Sequence, residues 1–229
     1  MVTEVVFGAA AFGVLLGPAL AALTVLVPAG RSTPDAGLPG LIRGRPAGPG
    51  RIAVVTALSA GVSAALGLRL GAGWELPAFL LLGVTGSALA LIDVEHHRLP
   101  DRIVLPAYAV GVGLLLVAAL ATGDLGRWLR ALAAMAVVFA AFFLLVWVNP
   151  DGFGFGDAKL GGLLALHLGW LGASYVLTGL VAGFVLGALA AVLLIVLRRA
   201  TLRSPVAFGP ALLAGALLAI LTGGPPVTR

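Results

Sequence analysis

The sequence predicts an all-α polytopic membrane protein of about eight transmembrane helices. Three observations carry that reading. Of its 229 residues, 61% are hydrophobic and only 10% charged, with a mean hydropathy of +1.14; an ordinary soluble domain is about half apolar and a quarter charged. The apolar residues gather into runs close to the roughly 20 residues that cross a hydrocarbon core. The 33 glycines lie among Leu, Ala and Val without a triplet period, which suits close packing of membrane helices and excludes collagen. A soluble enzyme, a disordered chain and a nucleic-acid module are excluded. The pI near 11.0 rests on only fourteen Lys and Arg against nine Asp and Glu.

The spans follow in order. The first is Val5–Val27; the preceding Met1-Val-Thr-Glu4 lacks the basic region of a secretory signal, so this stretch is expected to persist as a span. The next are Ile52–Leu70, Trp74–Ile92, Ile103–Ala121 and Trp128–Val148. Lys159 to Arg198 is then too long for one span, and Gly169-Trp-Leu-Gly172 is the best place to turn it. That division leaves a short sixth helix, Ala158–Leu168, followed by Ser174–Leu197 and Ala207–Thr222. Trp74, Trp128, Trp147 and Trp170 fall near span ends, as an aromatic belt does. The whole chain, 1–229, is expected to be one membrane-embedded domain. Residues 28–51 form a flexible loop rich in Pro, Gly and Arg.

Charge sets the orientation. That loop and the alternate connections after it hold ten of the fourteen basic residues, including Arg31, Arg43, Arg45, Arg51, Arg98, Arg102, Lys159 and Arg198. The other side holds Arg69, Arg127, Arg130 and Arg229. Positive charge favours the cytoplasmic side, so both termini are expected outside the cytoplasm.

Two acidic groups lie at the ends of apolar runs, on the predicted cytoplasmic side. One is Leu91-Ile-Asp93-Val-Glu95-His-His97-Arg-Leu-Pro-Asp101; the other is Gly152-Phe-Gly154-Phe-Gly156-Asp157-Ala-Lys159-Leu160. A carboxylate at membrane depth costs about 2.5–3.5 kcal/mol on insertion scales and marks a functional site by default. Asp157 has an equal alternative as a helix cap. The alternating glycines tilt the balance, because they admit close backbone approach beside the carboxylate. A dinucleotide site is excluded, since no strand precedes the glycines. Cysteine is absent, which removes disulfides, thiolate zinc, iron–sulfur clusters and a cysteine nucleophile. His96 and His97 read as solvated and lack a matching cluster, so no metal is assigned. His167 reads as a packing residue. Lys159 is either a snorkelling interfacial side chain or a contact for an acidic substrate residue.

Gly154-Phe-Gly156-Asp157-Ala-Lys159-Leu160 resembles the Gly-x-Gly-Asp-x-Lys-Leu signature of type IV prepilin peptidases. Asp93 with Leu99-Pro100-Asp101 and Pro106 resembles that family's other aspartate motif, 64 residues upstream of Asp157. Phe208-Gly209-Pro210 resembles its Pro-Phe-Gly-Pro segment, with Ala207 in place of the first Pro. The resemblance spans roughly Trp74 to Leu221. It implies an intramembrane aspartic endopeptidase of the bacterial cytoplasmic membrane, cutting leaders from prepilins or pseudopilins at the cytoplasmic face. Asp93 and Asp157 are the implied catalytic pair, with Gly154, Gly156, Lys159, Pro100 and Asp101 binding substrate or supporting. Asp101 is expected to cap the fourth span. No cofactor is implied; the partners are the precursor substrates and the bilayer. Many members carry a cysteine-containing domain between the first two spans and also methylate the product. Its absence from this chain makes methylation an expected loss, as in the short members found with tight-adherence pili.

Three other readings compete. A small transporter or channel would use intramembrane acids, but both acids lie at one face and no repeat is evident. A presenilin-like protease would carry Tyr-Asp where this chain has Ile92-Asp93. A structural subunit would use its acids only as caps.

Overall fold

The computed structural model describes residues 2–26, 48–149, 153–199 and 207–224. These form eight helices: α1 (Val2–Leu26), α2 (Pro49–Leu70), α3 (Leu76–His96), α4 (Asp101–Thr122), α5 (Leu125–Val148), α6 (Phe155–Leu171), α7 (Ala173–Val196) and α8 (Gly209–Thr222). No strand occurs among the described residues. Most of the predicted 28–51 loop lies outside them; its last residues, from Pro49, already belong to α2.

Six helices are long and apolar enough to cross a membrane. The other two, α6 and α8, have 17 and 14 residues. At 1.5 Å per residue they are about 25 and 21 Å long, short of a core of about 30 Å. The predicted turn lies at Gly172, whose φ of 149° strongly favours glycine and which both ends α6 and precedes α7.

The short helices are central. In α6, every residue from Leu160 to Trp170 is buried, so it has no face left for lipid. It packs against α5 and α7, and Tyr108 of α4 donates to the Lys159 carbonyl at 2.6 Å. α8 packs on α7, where Gly183 and Gly215 let the two backbones meet. The main core joins α2 through α8, while Leu20, Ala21, Val55, Val84 and Ala88 form a smaller cluster joining α1 and α2 to α3. α5 and α7 turn exposed Leu, Val and Phe outward, including Val137, Leu144, Val181 and Leu189, as a lipid-facing surface requires.

Two expected belt residues pack on protein, one fully buried and one half-buried. Trp170 is fully buried, and Arg127 stacks over its ring at 5.3 Å. Trp128 turns inward and donates to the Val112 carbonyl at 3.1 Å. Their places near span ends are as expected, but short α6 draws the interface inward, so both rings pack on protein. Trp74 and Trp147 are exposed.

Candidate active site

α3 ends just past Asp93. His97 adopts a left-handed conformation (φ 51°, ψ 41°), and its N–H donates to the Asp93 carbonyl at 2.8 Å, closing the last turn. The Asp93 side chain is buried at 5% exposure. Its Oδ2 accepts a 2.9 Å hydrogen bond from the Gly209 N–H, at the first residue of α8. The orphan donors and positive end of a helix N-terminus suit a carboxylate.

Gly154 is the N-cap of α6, and Asp157 is the third residue inside. Its N–H donates to the Gly154 carbonyl at 3.0 Å, and its half-buried carboxylate lies back over Gly154. A side chain on Gly154 would place its Cβ 3.1 Å from Asp157 Oδ2. Asp157 is therefore not an N-cap residue. It sits where an acidic side chain can reach back toward the cap, and where a helix N-terminus favours an anion.

The two motifs meet. Leu99, just after α3, packs against Gly156, where an added Cβ would lie 3.1 Å from the Leu99 Cβ. Gly209 lies against both Asp93 and Leu160 of α6. Gly209 thus ties Asp93 to Leu160, three residues beyond Asp157, so both acids belong to one junction of helix ends. The end of α3 and the starts of α6 and α8 thus converge on one pair of acids.

Phenylalanines on either side of Gly154 anchor this loop. Phe153 enters a cluster with Phe142, Phe184 and Phe208, with centroid separations of 5.1, 6.4 and 5.8 Å respectively. Phe155 packs against Phe139 and Phe143 at 6.4 and 6.0 Å. Aromatic pairs at these separations add about 0.5–1.5 kcal/mol each. Gly152 lies outside the described residues.

Asp101 is not the N-cap of α4. Pro100 holds that position without a side-chain cap, and Asp101 is the first helical residue. Its carboxylate instead accepts from Lys159 Nζ at 2.5 Å, pairing the start of α4 with α6. Lys159 also lies 4.3 Å above the Phe155 ring. Asp101→Asn keeps an acceptor for Lys159, so it is expected to retain activity within about tenfold, consistent with the small worth of an exposed ion pair. Cleavage rates of that variant check this.

Gly209 is the site residue that sequence reasoning left without a role, although the segment holding it was noticed. A backbone N–H leaves no mark in side-chain chemistry. Arg51 was also missed: counted as a loop charge, it grips Glu95 with both arms at 2.9 and 2.8 Å and binds Thr24 Oγ1 at 2.7 Å. It ties α1 and α2 to the end of α3, two residues beyond Asp93. His96 and His97 are exposed. His167 is fully buried, with Nδ1 2.9 Å from the Leu163 carbonyl and the ring edge-on to Phe79. Among the described residues, no three His, Cys, Asp or Glu are grouped to hold a metal ion.

A helical multi-pass membrane protein with two acids at one junction of helix ends is the class defined by this geometry. The chain belongs to the type IV leader peptidase family, which residues 79–197, more than half its length, match. It is similar to the prepilin leader peptidase/N-methyltransferase of Aeromonas hydrophila, 32% identical over 175 residues, 76% of this chain and 59% of that protein. The protein of the same name from Pseudomonas aeruginosa is 33% identical over 175 residues, covering 75% and 57%. That from Bacillus subtilis is 29% identical over 163 residues, covering 70% and 61%. The chain thus spans little more than half the length of these relatives. No solved structure matches it.

Proposed function

We propose that the chain is an aspartic endopeptidase that removes the leader from prepilin-like or pseudopilin-like precursors at the cytoplasmic face of the bacterial cytoplasmic membrane. The observation that carries this is the convergence of Asp93 and Asp157, with Gly209 bonded to Asp93, in a chain of the type IV leader peptidase family. Two carboxylates so close do not both ionise cheaply, so they share a proton. The ionised member takes a proton from water as the oxygen attacks the peptide carbonyl. The protonated member donates to the carbonyl oxygen, and the roles then exchange to protonate the leaving amine. The Gly209 N–H occupies one oxygen of Asp93 and leaves the other for that water.

Gly154 keeps the approach to Asp157 free of a side chain, where an extended peptide can lie, and Gly156 supports the site by making room for Leu99. Pro100, Asp101 and Lys159 support the site: Asp101 engages the Lys159 ammonium, which favours a structural tie over docking of an acidic substrate residue. The excess of basic residues on the site side supports its cytoplasmic placement. A transporter is less well supported, because both acids lie at helix ends on one face and not at a midplane break.

Purified protein in nanodiscs, given a prepilin-type peptide, tests the proposal by mass spectrometry. The expected products are the leader and a mature fragment with a free N-terminus. With S-adenosylmethionine added and no other enzyme present, no methyl mass is expected on that N-terminus. An intact peptide contradicts the peptidase; an added methyl contradicts the loss of methylation.

A further inference from the structure

Both helices that bring their N-termini to the acid pair are too short to cross the bilayer. Their far ends leave backbone carbonyls without helical partners, and such groups are costly away from water. At each end an arginine from a neighbouring long helix meets those carbonyls. Arg69, in the last turn of α2, donates from Nε to the Ile220 carbonyl at 3.0 Å and from one terminal nitrogen to Gly223 at 2.8 Å and to Gly224. Tyr175 closes the same cluster, its hydroxyl 3.3 Å from the Gly224 carbonyl and 3.4 Å from Arg69. Arg130, in α5, donates to the Gly169 and Trp170 carbonyls of α6 at 2.9 and 3.0 Å.

Each short helix is thus held at two points. α8 is bonded to Asp93 at its first residue and to Arg69 near its end, at Ile220, about 17 Å away. α6 carries Asp157 in its first turn and is capped by Arg130 in its last. α8 packs closely on α7 but meets α2 over a small area. An open apolar groove of about 190 Å³ runs between α8 and α2, lined by Val62 and Leu66 of α2, Gly83 and Gly86 of α3, and Leu213 and Leu217 of α8.

We propose that Arg69 and Arg130 are positioning residues: they set the depth of α8 and α6 and so align the Gly209 N–H and Asp157 with Asp93 from the opposite face. The kinetic consequence rests on the peptidase reading; the depth setting does not. Neither residue touches the acids, so removing either shifts the reacting groups without changing them. Misplacement on the ångström scale costs up to about a hundredfold in rate.

The chain has no cysteine, so label pairs enter cleanly. Spin labels at Val94→Cys, exposed on α3, and Leu218→Cys, exposed on α8, report the depth of α8 in nanodiscs by pulsed dipolar spectroscopy. Arg69→Met is expected to shift or broaden that distance by about 1–2 Å, the scale of helix sliding. In unlabelled protein, Arg69→Met and Arg130→Met are each expected to lower kcat about tenfold to a hundredfold, with KM within about twofold of the original. Lysine at either position, which still reaches carbonyls, is expected to recover most of the loss. If the methionine variants fail to fold, Arg69→Gln and Arg130→Gln, whose shorter side chains cannot span both carbonyls, are expected to give the same losses and carry the same test. An unchanged distance overturns the proposal for Arg69, whatever the activity. An unchanged kcat, or a loss confined to KM, overturns it for the residue concerned. Unlabelled wild-type protein that cuts nothing removes the peptidase reading, while the distance still decides the depth claim.

Discussion

Asp93→Asn and Asp157→Asn are each expected to lower leader cleavage by about 10²–10⁴-fold, the contribution of a positioned acid or base. Asparagine is nearly isosteric with aspartate. At position 93 its oxygen still accepts from the Gly209 N–H, so the junction between α3 and α8 persists. At position 157 it still lies over Gly154. What disappears is the capacity to hold and pass a proton. Both variants are therefore expected to insert and melt like the original protein, because removing a buried charge beside a like charge leaves no new unpaired group. Cleavage rates and melting temperatures in nanodiscs check both parts. Loss of melting stability alongside activity would assign the acids to structure.

The second large effect is expected at Gly209. A Cβ there would lie 2.7 Å from Asp93 Oδ2, 3.2 Å from its Cγ and 3.4 Å from Leu160 Cδ2. The nearest atom belongs to the buried Asp93 carboxylate, hydrogen-bonded to this residue's own N–H, so relief requires breaking that bond or moving α8. Gly209→Ala is expected to lower kcat by about a hundredfold. Gly113 of α4, with open space around its Cβ position, is the matched control. Gly113→Ala is expected to leave cleavage unchanged, since alanine in a helix is favoured by roughly 1 kcal/mol. Equal losses in the two variants would show that Gly209 has no special role.

The spans were legible because length and apolarity are local quantities. The first span ends within a residue or so of α1, and the sixth was read as short with its turn near Gly172. The acids were legible because a carboxylate beside an apolar run is costly and rare. Relations between distant backbone groups were not legible. Gly209 and Asp93 are 116 residues apart, and the donor is a peptide N–H that any residue but proline offers. Arg69 and Arg130 count in the sequence only as basic residues of the non-cytoplasmic side, because nothing local says that α8 and α6 stop short beside them. Asp101 read as a cap because Pro-Asp before an apolar run fits one; its partner, Lys159, lies 58 residues on. Trp170 read as an interfacial ring, although its place in the packed end of short α6 buries it. Each difference follows from three-dimensional pairing overriding a local preference.

The central claim is that Asp93 and Asp157 act as one catalytic unit. A double-mutant cycle on kcat/KM tests it most directly, using wild type, Asp93→Asn, Asp157→Asn and the double variant in the same nanodiscs with the same precursor peptide. Residues that act as a unit lose nearly everything with the first removal. The two single variants and the double variant are therefore predicted to fall to one common floor, within about tenfold of each other. Losses that multiply in the double variant, or either single variant cutting at the wild-type rate, would contradict the paired-aspartate account.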